Sequence, residues 1–529
     1  MDETDPSRAL TDLSELEQEV VAAARRGGVA KPATARTVEE LALTDDPELL
    51  IRADLLRELL RGMRGDLDPR GFQVVGARVI GQLDLDHVSA VTGLDLYRCA
   101  LPDGIVCRDA RLRYLHLNGS LLSSLDADGL RADSDLLMRD TAITGAGERG
   151  ALRLLGAQIG GTLELDRATI TGTEGPAVDA ERLRVGSSFF MRDATIAGAG
   201  ERGALRLLDA RIGGSCQLER ANITSARGPA LTGELLRIDG NLFMQGAATT
   251  GSGELGAIRL SGARISGQAA LLMSKLENTS GPLLILHEAQ ITGALFPPAL
   301  VCPAGRQGMS RRGCPDSDRI ITAHGLTYPV LREISWRQWL HLLVHHTPSY
   351  WPQPFQQLAT TERAVGHENN AREVLITQQH DLRRRAPHDV GNRLARGRHA
   401  LWGWLGRYGY RADRLMLALG VVFTLAAGVG LVAGHVTSNP GHHAAERVPP
   451  ATASASSPAA TCSPVELIGL GIDRGLPLGT TGLRARCDLD TVTAWGQTFT
   501  VILWALQALL WGLATLAIAA YTGLVRKPT

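Results

Sequence analysis

The chain has 529 residues, of which 44% are hydrophobic and only 4% are aromatic, and its 55 basic side chains balance its 55 acidic ones. This length allows three or four domains, and the formal net charge of zero gives no reason to expect a nucleic-acid partner. The seven cysteines contain no CxxC pair, so neither a zinc ribbon nor a thioredoxin-like site is supported.

The N-terminal stretch, residues 1–45, begins MDETDPSRALTDLSELEQEV, which is acidic and lacks the basic and apolar regions of a secretory signal. We expect a flexible or helical segment that stays in the cytoplasm. Residues 46–70 contain PELLIRADLLRELLRG, in which four leucines share one helical face: Leu55, Leu56, Leu59 and Leu60. Because a helix here can cover the open end of the next domain, we predict a helical cap, with an independent helical hairpin as the alternative.

The central stretch, residues 71–300, repeats itself. Gly147, Gly200 and Gly253 begin equivalent turns 53 residues apart, and each 53-residue unit divides into two phrases such as IGGTLEL and VGSSFFM. The phrases open at Ile159, Val185, Ile212, Ile238, Ile265 and Ile291. Glycine-punctuated short strands at a fixed period are typical of a solenoid whose coils bury their apolar side by stacking. The predicted fold class is mainly β, a right-handed parallel β-helix of roughly eight to ten coils.

Each coil is predicted to have inward and outward positions. Side chains alternate along a strand, so positions four and six after each opener should point inward and position five outward. The outward position contains Phe190, Phe243 and Phe296, which recur every 53 residues. We predict an apolar stripe that binds a partner, in which case Phe243→Asp should abolish binding without unfolding the chain. The alternative is that an inserted loop or the helices after residue 333 cover the stripe.

Three GxGxxG sequences begin at Gly145, Gly198 and Gly251. A dinucleotide fingerprint requires a strand before it and a helix after it. Here a strand phrase such as ALRLL follows each motif at the repeat period, so we interpret the glycines as turn residues with positive φ. The sequence also lacks GxxxxGK[ST], HExxH and GxSxG. The catalytic residues are therefore unknown, and we predict no bound cofactor.

Residues 301–332 are predicted to form a loop and a last strand. They contain Cys302 and Cys314, twelve positions apart. In a reducing cytosol we expect free thiols, with a metal or redox role as the alternative.

Residues 333–414 are predicted to be a helical juxtamembrane region. His341 and His345 lie four positions apart on a predicted helix, which is the spacing of half a metal site. No third ligand is evident, so we interpret them as core or interface histidines and predict no metal site.

Two stretches are long and apolar enough to span a membrane, residues 415–434 and residues 498–522. Nine arginines precede the first span, whereas the loop 435–497 has four arginines against five acids. The positive-inside rule then places that loop outside and the β-helix, both termini and the tail 523–529 in the cytoplasm, so we predict a multi-pass protein of the inner cell membrane.

Aromatic and basic residues flank the first span. The predicted membrane-interface residues are Trp402, Trp404, Arg407, Arg411 and Arg414. Arginines can also bind nucleic acid, but adjacency to a span favours anionic lipid headgroups. In the outer loop, Cys462 and Cys487 close about 25 residues and are predicted to form a disulfide.

Several longer motifs carry a family resemblance. They are IRADLLRELLRG before PRGFQVVGARVIGQLDL, PSYWPQPFQQLATTERAVGHENNAREVLITQQ, SPVELIGLGIDRGLPLG, WGWLGRYGYRADR before the first span, and WGLATLAIAAYTGLVRK at the end. Over residues 45–527 the chain resembles actinobacterial membrane-anchored β-helix proteins related to pentapeptide-repeat proteins. Such proteins are frequently labelled membrane-associated oxidoreductases, which the resemblance implies without catalytic residues to carry over.

The sequence therefore predicts a membrane-anchored cytoplasmic β-helix that serves as a protein-interaction or scaffold platform. The alternatives are a membrane-associated oxidoreductase, a channel limited by only two spans, and a carbohydrate-active enzyme, although Asp84, Glu164 and Glu219 form no evident cluster. The predicted partners are anionic lipids and an unidentified protein, with self-association left open and no nucleic acid.

Overall fold

The computed structural model describes residues 10–90, 92–297, 300–302, 319–409, 413–448, 460–475 and 486–521. The chain divides into two compact units, Met1–Ala371 and Arg372–Thr529. Each unit is described by itself.

The first unit is a parallel β-solenoid of about nine turns, which confirms the parallel, solenoid architecture predicted from the repeat. Three sheets run along it. Sheet A has the strands Val29–Ala30, Phe72–Val75, Leu94–Tyr97, Arg111–Leu112, Leu115–His116, Arg131–Ala132, Leu136–Leu137, Gln158–Ile159, Leu163–Glu164, Arg184–Val185, Phe189–Phe190, Arg211–Ile212, Cys216–Gln217, Arg237–Ile238, Leu242–Phe243, Arg264–Ala270, Gln290–Leu295 and Leu331–Arg332. Sheet B has Leu50–Arg52, Arg78–Ile80, Ala100–Leu101, Leu121–Leu122, Ala142–Gly145, Thr169–Gly172, Thr195–Gly198, Asn222–Ser225, Ala248–Gly251 and Lys275–Asn278. Sheet C has Leu83–Asp84, Ile105–Val106, Leu125–Asp126, Leu152–Arg153, Val178–Asp179, Leu205–Arg206, Leu231–Thr232, Ile258–Arg259, Leu284–Ile285 and Ile321–Thr322.

The helices lie at the two ends of the sequence. They are α1 (Glu15–Arg26), α2 (Val38–Leu43), α3 (Ala53–Leu60), α4 (Trp336–His345), α5 (Pro352–Ala364), α6 (Glu368–Arg385), α7 (Pro387–Val390), α8 (Arg393–Gly406), α9 (Asp413–Ala433), α10 (Pro464–Gly475) and α11 (Ala494–Tyr521), with 3₁₀ turns at Pro47–Leu49 and Arg407–Gly409.

The core of the solenoid is built from apolar rows that stack in register. The predicted inward positions are all at most 1% exposed: Leu163, Leu165, Phe189, Met191, Cys216, Leu218, Leu242 and Met244. In sheet B, Ile143, Ile170, Ile196 and Ile223 stack in the same way and are fully buried. Each coil buries its apolar side only against its neighbours, which is why the repeat must recur to be stable.

At one corner of the solenoid, two ion pairs follow the 53-residue period. At one corner of successive coils, the residue with positive φ alternates between an acid and a base: Asp140, Arg167, Asp193 and Arg220. Arg167 Nε donates to Asp140 over 2.7 Å, and Arg220 Nε donates to Asp193 over 2.6 Å. Each pair joins two adjacent coils, and the two pairs are 53 residues apart.

Acid should weaken these corner pairs. Hydrogen bonds from Arg167 and Arg220 hold the pKa values of Asp140 and Asp193 below their usual range. A carboxyl group whose pKa is lower in the folded chain than in the unfolded chain stabilises the fold at pH values above the unfolded-state pKa of about 3.9. This stabilisation is lost as the pH falls through the folded-state pKa. We expect the double variant Asp140→Asn/Asp193→Asn to melt about 1–3 °C below wild type at pH 7 and to match it near pH 2. Circular-dichroism melts from pH 2 to 7 measure this, and a pH-independent difference would contradict it.

Within its described residues, the N-terminal segment contains the helices Glu15–Arg26 and Val38–Leu43, and helix was one of the two forms predicted for it. Helix α1 begins with a capping box in which Ser14 and Glu17 bond each other's backbone amides. Glu17 also binds Arg52 over 2.6 Å, and Val29–Ala30 joins sheet A beside Phe72–Val75. Solenoid pairing therefore begins before residue 71.

Helix α4 packs against the last coils of the solenoid. The ring of Trp339 stacks on Phe296 with centroids 4.9 Å apart and meets Tyr328 edge-on at 6.1 Å. Trp339 and Phe296 are both nearly inaccessible to solvent. From helix α5, Gln357 Nε2 donates to the carbonyl oxygen of Tyr328 over 2.6 Å, so both helices belong to the first unit.

The second unit contains two helices long and apolar enough to cross a membrane, Arg414–Ala433 in α9 and Ala494–Ala519 in α11. Helices α9 and α11 pack through Leu415, Val422 and Leu510. The connection between them contains helix α10 and an antiparallel pair, Ala445–Arg447 with Cys487–Leu489, while Thr437–Asn439 pairs with His442–His443.

Small residues bring α9 and α10 together. A side chain on Gly430 would overlap the backbone of Leu467, and one on Gly471 would overlap the backbone of Ala426. Gly434 lies directly after the last residue of α9, and a side chain there would overlap the side chain of Leu467.

A disulfide joins the ends of this connection. Cys462 and Cys487 are bonded, with their Cα atoms 6.3 Å apart and 25 positions between them in sequence. Because the bond restricts the unfolded chain, we expect Cys462→Ser/Cys487→Ser to lower the stability of the second unit by about 2–3 kcal/mol. Thermal unfolding of the detergent-solubilised full chain measures the difference. Equal stability of this variant and wild type would show that the pair does not close the loop.

Candidate functional site

Six arginines form a continuous line on the outer surface of sheet A. Each is the first residue of its strand and is exposed to solvent. The members of this arginine row are Arg111, Arg131, Arg184, Arg211, Arg237 and Arg264. Backbone pairing places them directly beside one another, with Gln158 between the second and third arginines and Gln290 after the last.

The arginine row has no carboxylate partners among the described residues. Seven other arginines of the solenoid pair with an acid of the preceding coil: Arg108 with Asp86, Arg153 with Asp128, Arg167 with Asp140, Arg192 with Asp166, Arg206 with Asp179, Arg220 with Asp193 and Arg259 with Glu234. Like charges directly opposite on neighbouring strands repel and lower stability. The row is therefore a surface whose charge the fold leaves uncompensated.

A groove of about 670 Å³ runs beside the arginine row. Gly160, Gly186 and Gly213 line it two residues after the row position, where a Cβ atom would overlap the backbone of the preceding coil. Asp133 and Asp239 occupy the corresponding positions at its two ends. The groove is thus basic along one side, bare backbone along its floor and acidic at both limits.

The predicted phenylalanine stripe is shorter than expected. Phe190 and Phe243 point outward in register with Gln217 and are half-buried, and the guanidinium of Arg192 lies 4.8 Å from the ring centre of Phe190. Phe296 departs from the prediction because it is fully buried.

A one-residue irregularity explains the position of Phe296. The pairing shifts between Ile265 and Gln268, so that Leu295 rather than Phe296 lies opposite Ala270. A slip of one residue turns a side chain to the other face of a sheet. Phe296 therefore points into the core, where Trp339 covers it.

The three GxGxxG segments are turns between strands. The first connects Ala142–Gly145 to Leu152–Arg153, and the other two occupy the same place in later coils. Gly150, Gly203 and Gly256 have positive φ values of 109°, 129° and 84°. No helix follows any of the three segments, so the backbone amides that would meet a pyrophosphate at a helix N-terminus are not formed here.

A buried cluster joins Cys302, His341 and His346, whose ligand atoms lie within 4.8 Å of one another. Cys302 Sγ is 3.2 Å from His341 Nε2. Burial, and then the neighbouring His345, lowers the pKa of His341 to about 4, so its imidazole is neutral at physiological pH. The geometry suits a divalent metal, but Cys302 is disulfide-bonded rather than the predicted free thiol, and its sulfur is therefore not a thiolate ligand.

Sequence reasoning selected the wrong second histidine for this cluster. His345 is four positions from His341, yet the adjacent His346 is the buried one that meets Cys302. The neighbouring pair His345–His346 was the only signal. Cys314 lies outside the described residues.

The other cysteines of the solenoid are structural. Cys99, Cys107 and Cys216 are free and buried in the core. Burial raises the pKa of Cys99 to about 12 and also raises the pKa values of Cys107 and Cys216. Thiols of this kind are poor nucleophiles.

The acidic residues considered for carbohydrate chemistry are separated. Asp84 binds Arg57, and Glu164 binds Arg139 over 2.7 Å, so both carboxylates take part in structural ion pairs. Glu219 lies on a later coil. These three residues do not form the facing pair of carboxylates that glycoside hydrolysis requires.

The predicted membrane-interface residues occupy different environments. Trp404 is 73% exposed, whereas Trp402 packs against the cluster of α9 and α11 that contains Leu415. Arg414 is exposed at the start of the first apolar span, and Arg407 has a left-handed backbone conformation. Arg411 lies outside the described residues.

Comparison of the chain with protein families, curated proteins and solved structures found no match. The arginine row was missed in the sequence, although its signal was present. The residue immediately before the opener is arginine at Val185, Ile212, Ile238 and Ile265. Only the pairing of strands shows that these arginines are neighbours.

Proposed function

We propose that this chain is a membrane-attached scaffold whose solenoid holds a partner along the arginine row and its groove. The observation that carries the proposal is the stacking of arginines on neighbouring strands with no described carboxylate bound to them, in a solenoid that pairs seven other arginines with acids of the preceding coil. Repulsion between the arginines of such a surface lowers the stability of the free protein, and an anionic ligand removes that repulsion. The partner is a protein or another anionic polymer, and two copies of the chain can bind one such partner.

Attachment to the membrane is the second part of the proposal. The apolar helices Arg414–Ala433 and Ala494–Ala519 support two spans, and the arginines before the first span support a cytoplasmic solenoid. Anionic headgroups would bind Arg407, Arg411 and Arg414. We further propose that the solenoid is right-handed and that α1 and α3 cap its first coil, because an open end would expose strand edges and apolar core.

The resemblance to actinobacterial membrane-anchored β-helix proteins supports this arrangement. It also brings the rival proposal of a membrane-associated oxidoreductase. That rival requires a redox cofactor, and spectroscopy of the denatured full-length protein tests for a released flavin or nicotinamide. Release of such a cofactor in stoichiometric amount would favour the oxidoreductase over the scaffold.

Cysteine labelling tests the orientation. Thr195 on sheet B and Asn439 after the first span are both exposed positions for a reporter cysteine. In intact cells, a membrane-impermeant maleimide should label Asn439→Cys above the wild-type background and should label Thr195→Cys only after lysis. Labelling of Thr195→Cys in intact cells would place the solenoid outside and overturn the cytoplasmic assignment.

Two matched variants test the scaffold. The row variant combines Arg184→Gln, Arg211→Gln and Arg237→Gln. The control variant combines Arg36→Gln, Arg149→Gln and Arg202→Gln, which are exposed arginines outside the row. Glutamine already occupies the row at Gln158 and Gln290, so the row variant should fold. In native lysates the wild type and the control variant should migrate in the same assembly, and the row variant should not. Identical migration of all three would contradict the scaffold.

A further inference from the structure

We propose that the arginine row holds a linear polyphosphate chain, an inference that rests on the scaffold function proposed above. Neighbouring strands of a sheet lie about 4.8 Å apart. Within the groove, Arg184, Arg211 and Arg237 occupy three consecutive strands, so they present one cation about every 4.8 Å over about 10 Å. A ligand that neutralises each of them must carry anions at intervals no longer than this, as a phosphate polymer with one charge on each phosphoryl unit does.

The cations of the row are arginines throughout. A guanidinium presents donors in a planar fork that matches two oxygens of a phosphoryl group, whereas a lysine acts as a point charge. Because no carboxylate among the described residues binds these guanidiniums, their donors are available to a ligand.

The groove fits an unbranched chain that lies against the backbone. Gly160, Gly186 and Gly213 leave its floor without side chains, so a polymer can run beside the arginines at close range. Asp133 and Asp239 at the ends repel phosphate and confine the bound segment to the basic centre. Confinement of this kind distinguishes a binding groove from a uniformly basic surface.

Other anionic polymers fit less well. Single-stranded nucleic acid is normally held by aromatic rings that stack on its bases, and no residue that lines this groove is aromatic. An extended acidic peptide presents side chains on one face about every 6.6 Å, which does not match the interval of the row. A bilayer surface is flat and would leave the groove unfilled.

Fluorescence anisotropy with end-labelled, long-chain inorganic polyphosphate tests the inference on the full-length protein in detergent. We expect the row variant to bind at least about tenfold more weakly for each arginine removed, and the control variant to bind as wild type does. The dependence of affinity on salt should become shallower by about one unit of logarithmic slope per arginine lost. If the row variant melts at a lower temperature than wild type, Arg211→Gln alone should still cost about tenfold.

Competition separates this inference from the scaffold function. Polyglutamate, oligo-dT and phosphatidylglycerol vesicles are measured on the same three proteins. Row-dependent binding of one of these without row-dependent binding of polyphosphate would overturn the polyphosphate inference and leave the scaffold standing. An equal loss of polyphosphate binding in the row and control variants would also overturn the polyphosphate inference, because that result indicates unspecific electrostatic attraction. If the row variant changes binding of no anion, the polyphosphate inference fails, whereas the scaffold proposal fails only if the row variant also migrates in native lysates as wild type does.

Discussion

Replacement of Trp339 by alanine should lower the free energy of unfolding of the first unit by about 3–5 kcal/mol. Trp339 is 1% exposed, stacks on the buried Phe296 and meets Tyr328 edge-on. The substitution removes the largest side chain at the junction between α4 and the last coils, and it leaves a cavity that rigid β-structure cannot close. Chemical denaturation of the full chain, followed by circular dichroism, measures the loss.

Trp336 provides the control on the same helix. It is half-buried and lies beside Arg337 rather than in the core, so Trp336→Ala should cost about 1 kcal/mol. Equal losses for the two tryptophans would show that the junction is not packed as described. The helices of residues 336–364 would then be an appendage of the solenoid rather than its last layer.

Gly186→Ala should destabilise the solenoid by about 3–4 kcal/mol, at the upper end for an added methyl group. A Cβ atom at Gly186 would overlap the carbonyl oxygen of Gly160 on the adjacent coil. Backbone cannot rotate away as a side chain can, so the two coils would have to separate and weaken their shared hydrogen bonds. Urea denaturation of the full chain measures the effect.

Gly147→Ala is the matched control. A Cβ atom there meets nothing within 4 Å, and the residue lies in a turn of the same repeat. We expect a change of no more than about 0.5 kcal/mol. A Gly186→Ala variant as stable as Gly147→Ala would mean that neighbouring coils are not in contact at this position.

Some features of the solenoid could be predicted from the sequence pattern, and the close contact at Gly186 could not. The phrase IGGTLEL identified the coil and its inward residues because burial on alternate positions leaves a direct imprint on the sequence. At Gly186 the sequence shows only a glycine. Its contact with the neighbouring coil cannot be told from the role of a turn glycine until the positions of both coils are known. Phe296 was assigned to the outer face because the period was extended through the shift between Ile265 and Gln268.

The candidate site illustrates the same division. Arginines before the openers were visible as letters, but their importance depends on two relations between distant residues. One is their register across coils, and the other is the lack of a facing acid in a chain that supplies one to Arg167 and Arg220. The composition gives the whole chain a formal net charge of zero, but the surface at the arginine row is locally positive.

The repeat from Gly71 onward shows how far local chemistry alone reaches. The sequence by itself determined the stacked coils, their apolar interior and the two apolar helices, because each follows from periodicity or from an unbroken apolar run. Tertiary structure alone decided that Trp339 covers Phe296, that His346 meets Cys302, and that the row of arginines, with no partner among the described carboxylates, lies beside a groove lined by glycines. The physical reason is that burial at one position is a property of that residue, whereas neutralisation of a charge depends on which residues the fold brings opposite it.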